Sequence, residues 1–358
     1  MSYRVTLIPG DGIGPEVIEA ARRAIEATGI TIEWDRRDMG AAAFARTGSA
    51  LPPATIRSIL DNGVALKGPV ETPVTSGLRS VNVVLRQELD LFACLRPCRL
   101  YPGVPSLYDR VDVTVVRENT EGMYTGIEFE MGESNTKELI AFIHDETGRP
   151  IREDSGISIK TISREGTERI VRFALDHARS EGRTLVTAGH KANIMKFTDG
   201  LFLEVARLVA TEVPEIRFED RIIDALCMQL IQSPDRFEVL VLPNLYGDIV
   251  SDLLAGLIGG LGMAPGAHVG DTVAVFEATH GTAPRLAGRR LANPIGVILS
   301  GAMLLRHLGE PEAGDQLERA VAALLAEGDL VTPDLREPGD VRPTASTLEV
   351  AEAVVARL

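Results

Sequence analysis

The sequence predicts an α/β protein of two domains built on parallel-rich sheets. Three observations carry that expectation. Residues 4–8 form an apolar run that passes straight into a glycine-rich turn, Pro9-Gly10-Asp11-Gly12-Ile13-Gly14-Pro15. Residues 16–27 then read as a helix and 31–34 as a strand, and strand–helix–strand order makes parallel neighbours. At 358 residues the chain exceeds one ordinary domain.

Each element follows from local pattern. The first helix carries apolar residues at 17, 18, 21, 24 and 25, the spacing of one helical face. Pro15 suits its first turn, and Gly29 stands where a helix ends. Residues 112–116 read as a strand feeding into Arg117-Glu118-Asn119. Residues 127–158 differ: they are polar, with an apolar patch at 139–143 and a turn at Asp145-Glu146-Thr147-Gly148. That pattern predicts a hairpin-rich insertion. Residues 165–181 predict a helix, 184–187 a strand, and 239–242 a strand leading into an acidic helix. Gly259-Gly260-Leu261-Gly262 predicts a flexible crossover, and 272–276 another strand. The last third alternates helices and short strands, with a polar loop at 337–343.

Composition narrows the partners. The net charge of −14 argues against nucleic acid and membrane surfaces but leaves a small anionic substrate open, because local charge governs that. Cys94, Cys98 and Cys227 match no zinc spacing and read as reduced residues of a cytoplasmic protein. No window of some 18 apolar residues predicts a membrane span.

The chemistry starts at Asp248 and Asp252. Four residues apart on a helix, they share one face, and two like charges ~4 Å apart repel by about 4 kcal/mol at an effective dielectric of ~20. A hard cation such as Mg²⁺ or Mn²⁺ would neutralise them; two solvated acids near a helix start are the plainer alternative. Arg79, Arg86, Arg96 and Arg117 each adjoin an apolar stretch, where a guanidinium needs an anion. As a set they suggest a substrate with several carboxylates, gripped bidentately. Lys191 follows the 184–187 strand and could serve as a base, and Tyr124 could donate a proton. Residues 277–285, Glu-Ala-Thr-His-Gly-Thr-Ala-Pro-Arg, offer small residues and free amides to a nucleotide. The early turn has G-x-G-x-G rather than G-x-G-x-x-G spacing, so a structural turn is at least as good a reading.

Taken together, Ser80-Val81-Asn82-Val83-Val84-Leu85-Arg86, Leu95-Arg96-Pro97, residues 117–124, His190-Lys191-Ala192-Asn193, Gly247-Asp248-Ile249-Val250-Ser251-Asp252 and His280-Gly281-Thr282-Ala283-Pro284 resemble the decarboxylating isocitrate/isopropylmalate dehydrogenase family. The likeness runs in order along the whole chain, and among the branches it most resembles bacterial isocitrate dehydrogenase. It implies that family's two-domain fold with a hairpin insertion, not a standard Rossmann fold. A large cofactor domain would comprise 1–91 and 259–358. A small substrate, metal and dimer domain would comprise 92–121 and 164–258, with a clasp at 122–163.

The resemblance also implies roles. Ser80 and Asn82 would hold the γ-carboxylate of isocitrate, and Arg86, Arg96 and Arg117 the other two carboxylates. A polar Ser/Asn pair rejects an isopropyl group strongly, whereas homoisocitrate differs by one methylene, worth only about 1–3 kcal/mol. Asp248 and Asp252, with Asp224 of a second subunit, would hold Mg²⁺ or Mn²⁺. Lys191, also from the second subunit, and Tyr124 would be catalytic, so the implied assembly is a homodimer with shared active sites. Thr72, His280, Gly281, Thr282, Ala283, Arg285 and Asn293 would bind the nicotinamide cofactor. Arg285 stands where NAD-using relatives carry Asp and points to NADP; Pro333 resembles NAD-type chains. NADP is expected, with NAD possible. The rival readings are a homoisocitrate or analogue-specific biosynthetic dehydrogenase and a non-catalytic regulatory subunit.

Overall fold

The computed structural model describes residues 2–71, 80–337 and 339–358. Its strands are β1 (Ser2–Ile8), β2 (Thr31–Arg36), β3 (Val64–Lys67), β4 (Ala93–Arg99), β5 (Asp112–Glu118), β6 (Glu128–Phe129), β7 (Ile157–Ser158), β8 (Leu185–His190), β9 (Arg217–Ile222), β10 (Val239–Leu242), β11 (Ala267–Val269) and β12 (Ala274–Phe276). Ten of them form one sheet in the order β2-β1-β3-β12-β11-β4-β5-β10-β8-β9. Two parallel wings make it up. β2, β1, β3 and β12 run one way, and β5, β10, β8 and β9 run the other. β11 and β4 join them through antiparallel pairings. The fold is the expected mixed α/β one with a large, mostly parallel sheet.

The helices cover both wings with apolar faces. The Gly14–Ala27 helix buries Val17, Ile18, Ala21, Ala24 and Ile25, the positions its spacing predicts. It packs with Ile295–His307, Pro311–Glu327 and Thr347–Val355 into one core. Arg164–Ser180 and Asp199–Ala210 build a second core against β8 and β10.

The glycine-rich turn is a structural clamp. Gly12 has φ +59°, and a Cβ there would lie 2.1 Å from the carbonyl oxygen of Thr282. Asp11 beside it accepts backbone N–H groups from Ala41, Ala42 and Glu71. Both oxygens of that carboxylate are therefore engaged by backbone of other elements.

The insertion departs from the sequence reading. β6 and β7 form one antiparallel pair, but the run between them is a helix, Ser134–Thr147, not a series of hairpins. Thr136 and Ile140 are buried and Ile143 half-buried, a spacing of four and three that is helical. The contiguous patch at 139–143 masked it. Gly148, left-handed at φ +67°, ends the helix.

Candidate active site

Strand register decides which side chains meet, because alternate residues face opposite sides of a sheet. Cys94 lies opposite both Arg117 and His268, and His268 lies opposite Val275. Glu277 follows two residues after Val275, and Lys67 at the end of β3 bonds to it. One face of the central sheet therefore carries Lys67, Glu277, His268, Cys94, Arg96 and Arg117. The opposite face of the same strands is apolar: Leu95, Ala267, Val269 and Phe276.

The acidic pair sits above this polar row. β10 ends at Leu242, and the Asn244–Leu257 helix starts at once. Arg117, with no exposed surface, donates Nε and Nη2 to Asn244 Oδ1 at 3.0 and 2.7 Å and Nη1 to Asp248 Oδ1. Arg96 donates to Ser251 Oγ at 2.5 Å and reaches Asp252 Oδ1 at 3.4 Å. Tyr124 donates its hydroxyl to the second oxygen of Asp248 at 2.5 Å, and Arg117 stacks 4.9 Å from the centre of the tyrosine ring. Burial raises the tyrosine pKa and the bond to Asp248 raises it further, so Tyr124 holds its proton at neutral pH.

These residues fit a hard cation. Asp252 makes one long ion-pair contact and is otherwise open, while Asp248 has both oxygens engaged. Among the described residues no three of His, Cys, Asp and Glu gather tightly enough to hold a metal. Asp224 is not within this cluster. It accepts from Lys191 Nζ at 2.5 Å, and this second pair lies at the ends of β8 and β9 with no hydrogen bond or ion pair to Asp248 or Asp252. The hydrogen bond from Lys191 lowers the Asp224 pKa.

A cavity lies beside the polar row. Asn82 and Arg86 line it from the Val81–Glu88 helix, one turn apart on a single face. Arg96 and Glu277 form its floor, and Thr279, His280 and Gly281 its far wall. Four buried atoms around it have no partner among the described residues: Asn82 Oδ1, Arg86 Nε, Thr279 Oγ1 and His280 Nε2. Buried polar groups are nearly always satisfied, and leaving one unpaired costs about 1–3 kcal/mol. Orphans from both walls of one cavity mark a place where a polar ligand completes the site. Burial lowers the His280 pKa, which keeps the ring neutral.

The loop that follows carries the other expected cofactor residues. Ala283 adopts φ +40°, a strained value for a non-glycine residue. Thr282 is pinned by the Ile13 amide at 3.0 Å. A Cβ on Gly281 would meet nothing within 4 Å, so a ligand can approach that backbone. Asn293 donates to Asp334 at 3.0 Å. Arg285 is exposed and has no ion pair among the described residues. Ser80 caps the Val81–Glu88 helix and is exposed. Thr72 and Arg79 lie outside the described residues.

Several site residues escaped the sequence reading. Lys67, Asn119, Asn244, Ser251 and His268 are all buried here, and Glu277 gained no role. A lysine inside the apolar run Val64-Ala65-Leu66-Lys67 was the available signal, since an unpaired buried ammonium is prohibitive.

The central sheet thus brings the guanidinium groups of Arg96 and Arg117 against the carboxylates of Asp248 and Asp252 in an α/β protein. The isocitrate/isopropylmalate dehydrogenase family model matches residues 4–354, and the chain belongs to that family of dehydrogenases. A solved isocitrate dehydrogenase from Methylococcus capsulatus superposes with a TM-score of 0.90 at 48% identity, covering 99% of each chain. A probable isocitrate dehydrogenase (NAD) subunit alpha, mitochondrial, from Drosophila melanogaster is 43% identical over 93% of this chain and 83% of its own. A chloroplastic 3-isopropylmalate dehydrogenase of Solanum tuberosum is also 43% identical, over 91% and 86%.

Proposed function

We propose that this dehydrogenase oxidises and decarboxylates isocitrate to 2-oxoglutarate and CO₂. The observation that supports this most is the set of orphaned polar atoms around the cavity between Arg86, Arg96 and His280. The carboxylates of such a substrate would accept from Arg86 Nε and the Thr279 hydroxyl, and Asn82 would turn its amide nitrogen toward them. An isopropyl group would leave these protein groups unpaired, a rejection worth several orders of magnitude.

In this reading Arg86, Arg96 and Arg117 anchor two carboxylates, and Ser80 and Asn82 bind the third. Asp248 and Asp252, with Asp224 of a second subunit, would hold Mg²⁺ or Mn²⁺, which when bound stabilises negative charge developing on the substrate oxygens. Lys191 of the second subunit takes the substrate hydroxyl proton. Tyr124, kept protonated by its bond to Asp248, returns a proton to carbon after CO₂ leaves.

The dinucleotide would lie along His280, Gly281, Thr282 and Ala283, with Asn293 near the adenine. Relatives named for NAD favour NAD as the principal cofactor over the NADP expected from the sequence. Arg285, without an acid partner among the described residues, is the residue that would admit a 2′-phosphate. The three free cysteines suit a reducing compartment, which the expected cytoplasm provides.

A homodimer with shared sites is part of this proposal, as is the division into a large, a small and a clasp domain. Asp224, Met228 and Ile231 line one stripe of the Ile223–Gln232 helix, and Leu245, Ile249 and Asp252 one stripe of the acidic helix, by their spacing of four and three. The apolar members are exposed, as are Ile194 (68%) and Phe197 (94%) beside Lys191. Apolar surface of that extent calls for a cover, and a second copy would bring Asp224 and Lys191 with it. The presence of Tyr124, Lys191 and both aspartates speaks against a regulatory subunit.

Turnover assayed with isocitrate, homoisocitrate, isopropylmalate and tartrate, each with NAD and NADP and Mg²⁺, tests the reading. Isocitrate with the highest kcat/KM is expected. Preference for homoisocitrate would move the assignment to that reaction, and turnover of isopropylmalate alone would overturn it.

A further inference from the structure

The described site contains a hazard. Glu277 is a buried carboxylate on the floor of the same cavity as Arg86 and Arg96, and it feels the charge of Arg86. Arg86 has no acid partner among the described residues. A carboxylate free to rotate there would seize the guanidinium groups that a substrate needs.

Both Glu277 oxygens are held away from them. Oε2 accepts from Lys67, which is 1% exposed. Oε1 lies 2.8 Å from His268 Nε2. The tautomer of His268 follows from its other neighbour. Asn119 Nδ2 lies 2.8 Å from the carbonyl oxygen of Leu91, which can only accept, so this atom is the amide nitrogen. The same nitrogen lies 3.0 Å from His268 Nδ1 and donates its second N–H there. His268 Nδ1 is therefore the acceptor, and its one proton sits on Nε2 and points at Glu277. The chain Leu91–Asn119–His268–Glu277–Lys67 runs in one sense, each donor facing an acceptor.

We propose that His268 is a positioning residue for substrate binding: it takes a hydrogen bond from Asn119, gives one to Glu277, and so keeps that carboxylate off Arg86 and Arg96. This rests on the reading of the arginines as the substrate's carboxylate anchors. Lys67 alone holds only one oxygen, leaving the other free to turn toward Arg86. With His268 in place the arginines stay available, and the cavity keeps its positive potential. The other titratable groups facing this chain are Cys94 and Arg96 on β4, Arg86 on its helix and His280 across the cavity.

His268→Leu removes the donor and His268→Gln keeps both roles, since its amide oxygen can accept from Asn119 and its nitrogen can donate to Glu277. His268→Leu is expected to raise the isocitrate KM, and its Kd by calorimetry, about tenfold, the loss of one charge-assisted bond. The KM for dinucleotide and the kcat should stay within about twofold, and His268→Gln should restore the isocitrate KM. Equal changes in both KM values, or no rescue by Gln, would overturn the proposal. ¹⁵N NMR of the ring should show the Nε2–H tautomer, and an Nδ1–H tautomer would also overturn it. That spectrum needs no substrate. A wild-type enzyme that shows this tautomer yet binds no isocitrate would sink the functional reading instead.

Discussion

Asp248 and Asp252 lie one turn apart on the same helix face and hold their protons in opposite ways. Burial alone would raise both. At Asp248 the Arg117 guanidinium and the Tyr124 hydroxyl outweigh burial and bring the pKa below the usual carboxylate range. At Asp252 burial prevails over the more distant Arg96, and repulsion from Asp248 adds to it, so the pKa rises. One acid is thus tied into the protein and the other left open, an asymmetric pair of donors for a cation.

Asp248→Asn should abolish metal-dependent turnover, by about a hundredfold or more, because several kcal/mol of charge stabilisation is lost at ~1.36 kcal/mol per decade. The fold should survive, since Arg117 keeps its two bonds to Asn244. A Mg²⁺ titration of activity beside circular dichroism checks both. An unchanged kcat would remove Asp248 from the site.

Tyr124→Phe should impair protonation after decarboxylation more than hydride transfer, by about 10²–10⁴-fold for a general acid. Supplying the oxidised β-keto acid and following its decarboxylation against its reduction separates the two steps. Equal losses would leave Tyr124 only a role in positioning substrate or Asp248.

Shared sites predict complementation. Tyr124→Phe and Lys191→Met chains, each inactive alone, should regain about a quarter of the wild-type sites when mixed and re-equilibrated, because each mixed dimer keeps one intact site. No recovery, with mixed dimers verified by mass, would place both residues in one subunit's site.

Arg285→Asp should shift cofactor preference toward NAD by removing a cation and adding repulsion to a 2′-phosphate. A charge-assisted bond of about 1.5–3 kcal/mol corresponds to roughly tenfold to a hundredfold. The ratio of kcat/KM for the two cofactors in parent and variant measures it. No change in the ratio would show that Arg285 does not meet the adenosine end.

The buried Lys67–Glu277 pair sets an acid-stability limit. The Glu277 pKa is depressed in the fold because Lys67 and His268 overcome its burial. Its contribution is therefore fully present above the ordinary glutamate value of ~4.3 and is lost as pH falls through the lower folded value. Lys67→Met should cost about 3–5 kcal/mol at neutral pH and flatten the loss of stability below about pH 4. Chemical denaturation across that range tests it, and parallel pH curves for the two proteins would count against the pair.

The sequence by itself determined the alternation of strands and helices and the stacking of Asp248 on Asp252. These are local properties: the helical period, turn residues and apolar runs are read within a dozen positions. Motif order pointed to the family, because its motifs follow one another in sequence along the whole chain. Three matters were decided only by tertiary structure. The insertion became a helix because Thr136 and Ile140 found a surface to bury against, which no local patch announces. The glycine-rich turn became a clamp because Thr282, 270 residues away by number, supplies the backbone it grips. The row from Lys67 through Glu277 and His268 to Arg117 exists because pairing register brings five strands, β3, β12, β11, β4 and β5, onto one face. Register depends on which strands become neighbours, and a buried charge or an imidazole tautomer depends on partners that only those neighbours provide.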